Sequence, residues 1–562
     1  MRNDSVLTHE LIPAGPIPTA FDPDGVYPYV SFVETSTRPV LKPYRFVVLE
    51  NAKVKVTICP DRGGRVTSLI HKGSGREVLY APEVIRPTRI LPRFNFVAGG
   101  IEVSFPISHS PTQNDPVLWQ VDRTPERVYV TCGERELRFG MQWSVEYSLG
   151  ADDQFLTQRT VFHNPHNPGT SPHPWMSWSN AAVPCAPDTQ YHFPNGQVLS
   201  HASTLTVLAS GPRQERDIQE MTGYFWKTKD ANAFGAFTPS LGVGLYHVAD
   251  EAIAPGMKLW SYGVGKDRAW GNYAEIQGGP IRDQATKLEL QPQETRWHVE
   301  FWIPSDRALN IHALTLPDVK LRPSSAVPLF DWARPEEVKA WQDLVRAHHE
   351  DGTPPHAPDV DQCLWAPSGM EDLDAAFAWA VAKSRDPEAE RWRFYHGTWL
   401  AGCGRAREAI EVLSTVRLGV ARALLARLLK TDGDIEGAAN ALRSIQEPGL
   451  QLHPQVVVAR DEILRMLGTH TLAEREQWLA RVDAIPDERI IERRVQLLID
   501  KGEYQTARRL LLSTPFQKIH QRYVRTALWK QLCEALREPS LPVPPELGED
   551  QLAPFGAYRE FA

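Results

Sequence analysis

The sequence predicts a multidomain β + α protein, a β-sandwich followed by an array of paired α-helices. Three observations predict it. Up to Arg322 the chain is a succession of short β-rich or alternating runs separated by turn residues. After Pro328 the apolar residues recur at three- and four-residue spacing. Within that second half, three segments repeat one pattern: a helix end, a G-x-x-x-x-A turn and a second amphipathic helix.

The strands come first. Phe46-Val47-Val48-Leu49, Val54-Lys55-Val56-Thr57-Ile58, Val128-Tyr129-Val130-Thr131 and Gln142-Trp143-Ser144-Val145-Glu146-Tyr147 read as strands. So do Val243-Gly244-Leu245-Tyr246-His247-Val248 and Trp297-His298-Val299-Glu300-Phe301-Trp302. Pro60-Asp61-Arg62-Gly63-Gly64, Lys72-Gly73-Ser74-Gly75 and Asn164-Pro165 bound them. Many short strands with few helical stretches mean a sandwich or a barrel. Residues 1–25 are expected as an N-terminal extension, 26–305 as the sandwich, 306–330 as a packed linker and 331–562 as the helical domain.

The repeated helical segments are TWLAGCGRAREAIEVLS (398–414), ARLLKTDGDIEGAANALR (426–443) and QLLIDKGEYQTARRLLL (496–512). Their glycines, Gly404, Gly433 and Gly502, lie 29 and 69 residues apart by subtraction. The second gap is close to two repeats of about 34, the tetratricopeptide period. Ala409, Ala438 and Ala507 stand where two helices of such a pair approach closely. Helices of this kind cannot bury their faces singly and must stack, and the concave surface that stacking creates suits a protein partner or self-association.

Composition narrows the function. The net charge of −8 is mild and shows no basic stripe, which argues against a nucleic-acid partner. The six cysteines, Cys59, Cys132, Cys185, Cys363, Cys403 and Cys533, are scattered without a CxxC pair. No zinc site, disulfide framework, metal or other cofactor is therefore expected. The N-terminus has no apolar signal core, and no run of 18 apolar residues occurs. A cytoplasmic protein without a membrane partner is the expectation. No Walker A motif, strand-bound G-x-G-x-x-G, HExxH or nucleophile elbow is present. The 46 prolines gather in the first part of the chain, where they suit turns and edge strands. The 17 tryptophans are mainly core material, but an indole also offers a flat face to a sugar ring.

Three segments carry candidate chemistry. The first is Gly99-Gly100-Ile101-Glu102-Val103-Ser104-Phe105-Pro106, running into Ser108-His109-Ser110-Pro111-Thr112. The second runs from Pro172-His173-Pro174-Trp175-Met176 through Ser177-Trp178-Ser179-Asn180 to Pro184. The third is Trp270-Gly271-Asn272-Tyr273-Ala274-Glu275-Ile276-Gln277-Gly278-Gly279-Pro280-Ile281-Arg282. Carboxylates and amides bind vicinal hydroxyls, indoles cover the apolar ring face, and glycines let the backbone come close. A mono- or oligosaccharide is the partner these residues suit. Turns with internally satisfied polar groups are the alternative.

These residues resemble a family of unknown function, DUF5107, whose members usually continue into tetratricopeptide repeats. The resemblance starts at LENAKVKVTICPDRGGRVTSLIHKGSGREVLY (49–80). It runs through GGIEVSFPISHSPT (99–112), WSNAAVP (178–184) and PGMKLWSYG (255–263) to YAEIQGGPIRDQ (273–284). The stretch STPFQKIHQRYVRTALW (513–529) is similar to the helical region that accompanies the family. The family stands with the galactose-mutarotase-like sandwiches, which implies a twisted supersandwich with a concave, sugar-binding face. Aldose mutarotases carry their general base in an E-x-Q-x-x-P run, and Glu275-Ile276-Gln277-Gly278-Gly279-Pro280 is similar to it. Their acid histidine stands in an H-x-Y-F-N run. Here the matching stretch is Met176-Ser177-Trp178-Ser179-Asn180, which keeps the asparagine and lacks the histidine.

Two mechanisms follow. In the first, Glu102 and Glu275 are the paired carboxylates of a glycoside hydrolase, about 5 Å apart if retaining and about 6.5–9.5 Å if inverting. A carboxyl beside Phe105 or Trp270 would then be the acid, because burial raises its pKa. In the second, the protein is an aldose epimerase with Glu275 as base and His109 or His173 as the acid missing from position 176. Arg65, Arg93, His173, Trp178, Asn180, Trp260, Trp270, Gln277 and Arg282 are the candidate substrate-binding residues. A non-catalytic sugar-binding scaffold whose helices recruit a partner is the third reading.

Overall fold

Alternation in the first half of the chain resolves into two large sheets packed face to face, with two small two-stranded sheets beside them. The computed structural model describes residues 1–18, 20, 27–88, 96–200, 206–208, 211–219, 222–261, 263, 273–283, 286–322, 330, 332, 335–482, 485, 487–517 and 522–548. Among the described residues the larger sheet has 13 strands. Its middle runs Thr222–Trp226, Gly256–Ser261, Tyr273–Gly279, Ser179–Pro184, Ile101–Val103, Arg65–His71, Val54–Cys59 and Val40–Glu50. The eight-stranded sheet runs Leu118–Arg123, Arg127–Arg135, Gln142–Gly150, Leu156–His163, Thr295–Ser305, Val243–Ala249, Ala233–Thr238 and Gln190–His192. Each of the six runs read as strands from sequence lies within one of these elements.

The core between the sheets follows from the two-residue period of a strand. Met257 and Leu259, Ala274 and Ile276, Ala181 and Val183, and Ile101 and Val103 all point into it from the larger sheet. Trp143, Tyr147, Phe162 and Trp302 meet them from the smaller one. This leaves Lys258 and Trp260, Glu275 and Gln277, Asn180 and Glu102 on the opposite face of the larger sheet. Those residues are nevertheless buried.

The first residues, expected as an extension, form the strand Arg2–Thr8, antiparallel to Val40–Glu50. Further on, Ile17, Ala20 and Tyr27 lie in the core of the helical half. The stretch after the last long strand packs against the sandwich: the Arg322 guanidinium sits 4.0 Å above the Tyr129 ring and pairs with Asp122 and Glu146.

The second half is a chain of antiparallel helix pairs. Glu388–Gly402 pairs with Ala406–Ser414, Gly419–Asp432 with Ile435–Arg443, and Glu488–Asp500 with Tyr504–Ser513. Gly404, Gly433 and Gly502 end the first helix of each pair at φ of 78°, 91° and 78°, a region that glycine enters without penalty. Ala409, Ala438 and Ala507 are fully buried at the crossings. The double gap holds one more pair, Pro454–Leu467 and Leu472–Ala480, joined at Gly468. The short helical turn Thr469–Thr471 follows that glycine and shifts the phase, so Ala473 is exposed and Arg475 is buried instead. No helix among the described residues is long and apolar enough to cross a membrane.

Candidate active site

Strand register places the candidate residues in two rows across the larger sheet. Glu102 faces Asn180, Asn180 faces Gln277, Gln277 faces Lys258, and Lys258 faces Phe225. In the next row Ala182 faces Glu275, and Glu275 faces Trp260. Strands lie about 4.8 Å apart, so the backbones of Glu102 and Gln277 are separated by about 10 Å. Charged and amide groups that are buried on a sheet's second face require partners, and the partners define the site.

Glu102 is fixed on both oxygens. Oε2 accepts from Nη2 of Arg65 at 2.6 Å, and Oε1 meets Nδ1 of His109 at 2.7 Å. Arg65 also donates to Gln113 at 2.8 Å and to the carbonyl of Gly99. This close approach explains the Gly99-Gly100 pair: Gly100 has φ of 74°, and a Cβ there would lie 2.2 Å from the Val66 carbonyl oxygen. His109 itself takes a left-handed conformation, φ 60°, and rests edge-on against Phe96 at 4.9 Å. Such a backbone is uncommon outside glycine and persists where its surroundings determine it, often at functional sites.

Glu275 is held through one of its oxygens. Its Oε2 accepts from Nδ2 of Asn180 at 3.0 Å and from Nε2 of Gln277 at 2.9 Å. Among the described residues nothing donates to its Oε1. Burial acts on both carboxyls, with opposite outcomes. For Glu102, desolvation is outweighed by the His109 and Arg65 charges and their hydrogen bonds, which hold it below its ordinary value. For Glu275, desolvation wins over His109 and Lys258, and the Glu102 charge adds to it, so its pKa is raised. Lys258 is pushed down to about 8 by burial, against the pull of Glu275 and Glu102. Environments that drive neighbouring carboxyls apart are a mark of acid–base sites.

Aromatic rings wall this face. Tyr80 stacks on Tyr273 at 4.8 Å, and Trp260 leans on Tyr273 at 6.0 Å. Trp178, Phe225, Met176 and Ile281 form an apolar cluster beside Lys258.

Arg65, Glu102, His109, Asn180, Glu275, Gln277, Trp178 and Trp260 thus belong to one sheet face or its edge. His173 does not. It lies on His173–Trp175, stacked 4.8 Å from Phe139 and beside His166, in a cavity of about 600 Å³ between the sandwich and the first helices. Burial first, then His166, lowers its pKa to about 4. Arg282 is exposed. Arg93 and Trp270 lie outside the described residues. Phe105, considered as a neighbour of the acid, points into the core against Phe162 and Trp175, because it falls on the other phase of the chain from Glu102. Lys258, Gln113 and Tyr80 were not foreseen. Lys258 had a signal, a lone charge between the apolar residues of Met257-Lys258-Leu259; Gln113 and Tyr80 arrive from loops and had none.

A second polar cluster lies directly beneath. Glu300 accepts from His247 at 2.9 Å, His298 at 3.2 Å and Gln158 at 2.9 Å, and also from Ser179. Ser179 and Gly278 are register partners next to Asn180 and Gln277. Burial opposes the Glu300 charge, but the two histidines hold its pKa far below the ordinary range. This network braces the floor of the site from the core side.

The model of the DUF5107 domain, a domain of unknown function, matches residues 21–305. A second model, described as a C-terminal domain, matches residues 341–532. A crystal structure of a TPR-domain-containing protein from Parabacteroides distasonis is 59% identical, covers 98% of this chain and 97% of its own, and superposes with a TM-score of 0.89. A putative mutarotase from Salmonella typhimurium aligns at 11% identity over 47% of this chain and 91% of its own, with a TM-score of 0.37.

Proposed function

The chain belongs to the DUF5107 family, and from that premise we propose that its β domain is a sugar-binding acid–base site that acts at an anomeric carbon as an aldose epimerase. Glu275 and His109 are the proton-transfer pair, and Glu102 is a positioning residue. One observation carries the choice: both oxygens of Glu102 are engaged by Arg65 and His109, whereas among the described residues Glu275 keeps Oε1 without a hydrogen bond. A carboxylate so engaged is poorly placed to attack or to activate water. It is well placed to fix an imidazole through Nδ1, so that Nε2 handles the proton.

The reaction balances without a cofactor. Glu275 takes the proton of the anomeric hydroxyl as His109 gives one to the ring oxygen, and the bond between C1 and the ring oxygen breaks. The resulting aldehyde turns about the C1–C2 bond. Reclosure returns both protons and delivers the other anomer. A positioned acid or base contributes roughly 10²–10⁴-fold. The raised pKa of Glu275 makes it a stronger base once ionised.

Glycoside hydrolysis is the second reading, favoured by the opposite pKa displacements of Glu275 and Glu102. The helical array offers a stacked concave surface for a protein partner, and the six free cysteines suit a reducing, cytoplasmic setting. Polarimetry on freshly dissolved α-anomers from a sugar panel tests the proposal. Anomerisation of at least one sugar faster than in buffer, lost in Glu275→Gln with binding retained, is expected. Rates equal to buffer throughout would exclude it, and release of sugar from glycosides would favour the second reading. Binding without any turnover would leave a scaffold.

A further inference from the structure

Lys258 is the one site residue whose charge the reaction above does not use. It is 4% exposed, yet among the described residues its Nζ meets no hydrogen-bond acceptor and forms no ion pair. The ammonium lies 5.2 Å from the Phe225 ring and directly across from Gln277. Glu275 and Glu102 act on it only at a distance. An ammonium on a side chain enclosed this far is normally paired.

The charges around it make the same point. Glu102 is neutralised by Arg65 at 2.6 Å. Glu275, ionised when it acts as base, accepts from Asn180 and Gln277. Among the described residues neither carboxylate therefore meets the Lys258 ammonium directly. The unmet requirement is an acceptor for Nζ, which an anion supplies best.

We propose that Lys258 is a specificity-determining residue and that the sugar carries an anionic substituent, a carboxylate or a phosphate or sulfate ester, that pairs with its Nζ. The proposal rests on the sugar-binding reading and deepens it. Phe225 and the Trp178 cluster wall one side of Lys258, and Gln277 and Glu275 lie on the other. The anionic group is therefore directed to the Phe225 side, away from the anomeric carbon at Glu275. A charge-assisted hydrogen bond in a buried setting contributes about 1.5–3 kcal/mol, or about tenfold and upward in affinity.

Calorimetry on the full chain tests this. Glucose and galactose are compared at pH 7 with glucuronate, galacturonate, glucose 6-phosphate and glucose 6-sulfate. The uronate and ester arms separate the two sources of charge. At least one anionic sugar is expected to bind about tenfold or more tighter than its neutral parent. Lys258→Met should erase that preference and Lys258→Arg should retain it. In the wild type the preference should be present below pH 8 and fade above it as the ammonium loses its proton. Should Lys258→Met fail to fold, the wild-type pH series and Lys258→Arg still decide. Equal binding of neutral and anionic sugars, or a preference that survives Lys258→Met, overturns the assignment and leaves the sugar site standing. Binding of no sugar at all overturns both.

Discussion

Two glutamates on one buried face differ because their neighbours differ. Glu102 sits between a guanidinium and an imidazole, while among the described residues Glu275 receives two amide donors. Glu102→Gln should therefore lower kcat by up to about 10²–10⁴-fold, the contribution of a positioned acid, while KM changes little. A loss confined to KM would make Glu102 a sugar ligand instead. Activity should rise with pH as Glu275 loses its proton, along a limb set above the ordinary carboxylate value. Lys258 lowers that pKa, so Lys258→Met should move the limb to higher pH, read from the kcat profile. At this scale much was visible in the sequence. Glu102, His109, Asn180 and Glu275 stand out as polar residues inside apolar, β-forming stretches. The pairing of Glu102 with Arg65 was not visible, since 37 residues separate them and sheet register alone brings them together. His173 looked equal to His109, and only the turn after Phe105, which folds His109 back toward Glu102, separates them.

The strands that hold these residues carry a polar row on each face. Above are Glu102, Asn180, Gln277 and Lys258; below, Ser179 meets the Glu300 cluster. Room for that cluster is made by Gly278, where a Cβ would lie 2.7 Å from the His247 ring and 3.0 Å from Glu300. Gly278→Ala should destabilise the protein by about 1–3 kcal/mol through overpacking, measured as a fall in the urea midpoint. An unchanged midpoint would show that the floor is soft. In the helical half, Asp461 is fully buried between Arg475 at 2.8 Å and Arg493 at 2.6 Å. Asp461→Ala leaves two cations there and should cost about 3–5 kcal/mol. Period and glycine spacing revealed three of these helix pairs. The fourth escaped because the turn after Gly468 displaces the small residue from the crossing.

For the molecule as a whole, two buried carboxyls with lowered pKa values contribute to the response to acid. Glu300 and Glu102 have lower pKa values folded than unfolded. The stability they contribute is complete above about pH 5, since an unfolded glutamate titrates near 4.3. It is lost as pH falls through that range toward their folded values. The thermal midpoint should thus drop steeply below about pH 5, and less steeply in Glu300→Gln. The order of a sandwich followed by helix pairs was legible because strand and helix periods differ and the change falls near Arg322. That Ile17 and Tyr27 lie in the helical core was not, since an irregular segment has no period to read. The account turns on one convergence, that Glu275 and His109 serve a single sugar. A crystal structure of Glu275→Gln with a bound sugar from the panel addresses it directly. The anomeric oxygen should lie within about 3 Å of residue 275 with the ring oxygen toward His109. A sugar seated in the cavity beside His173, with this face vacant, would contradict it.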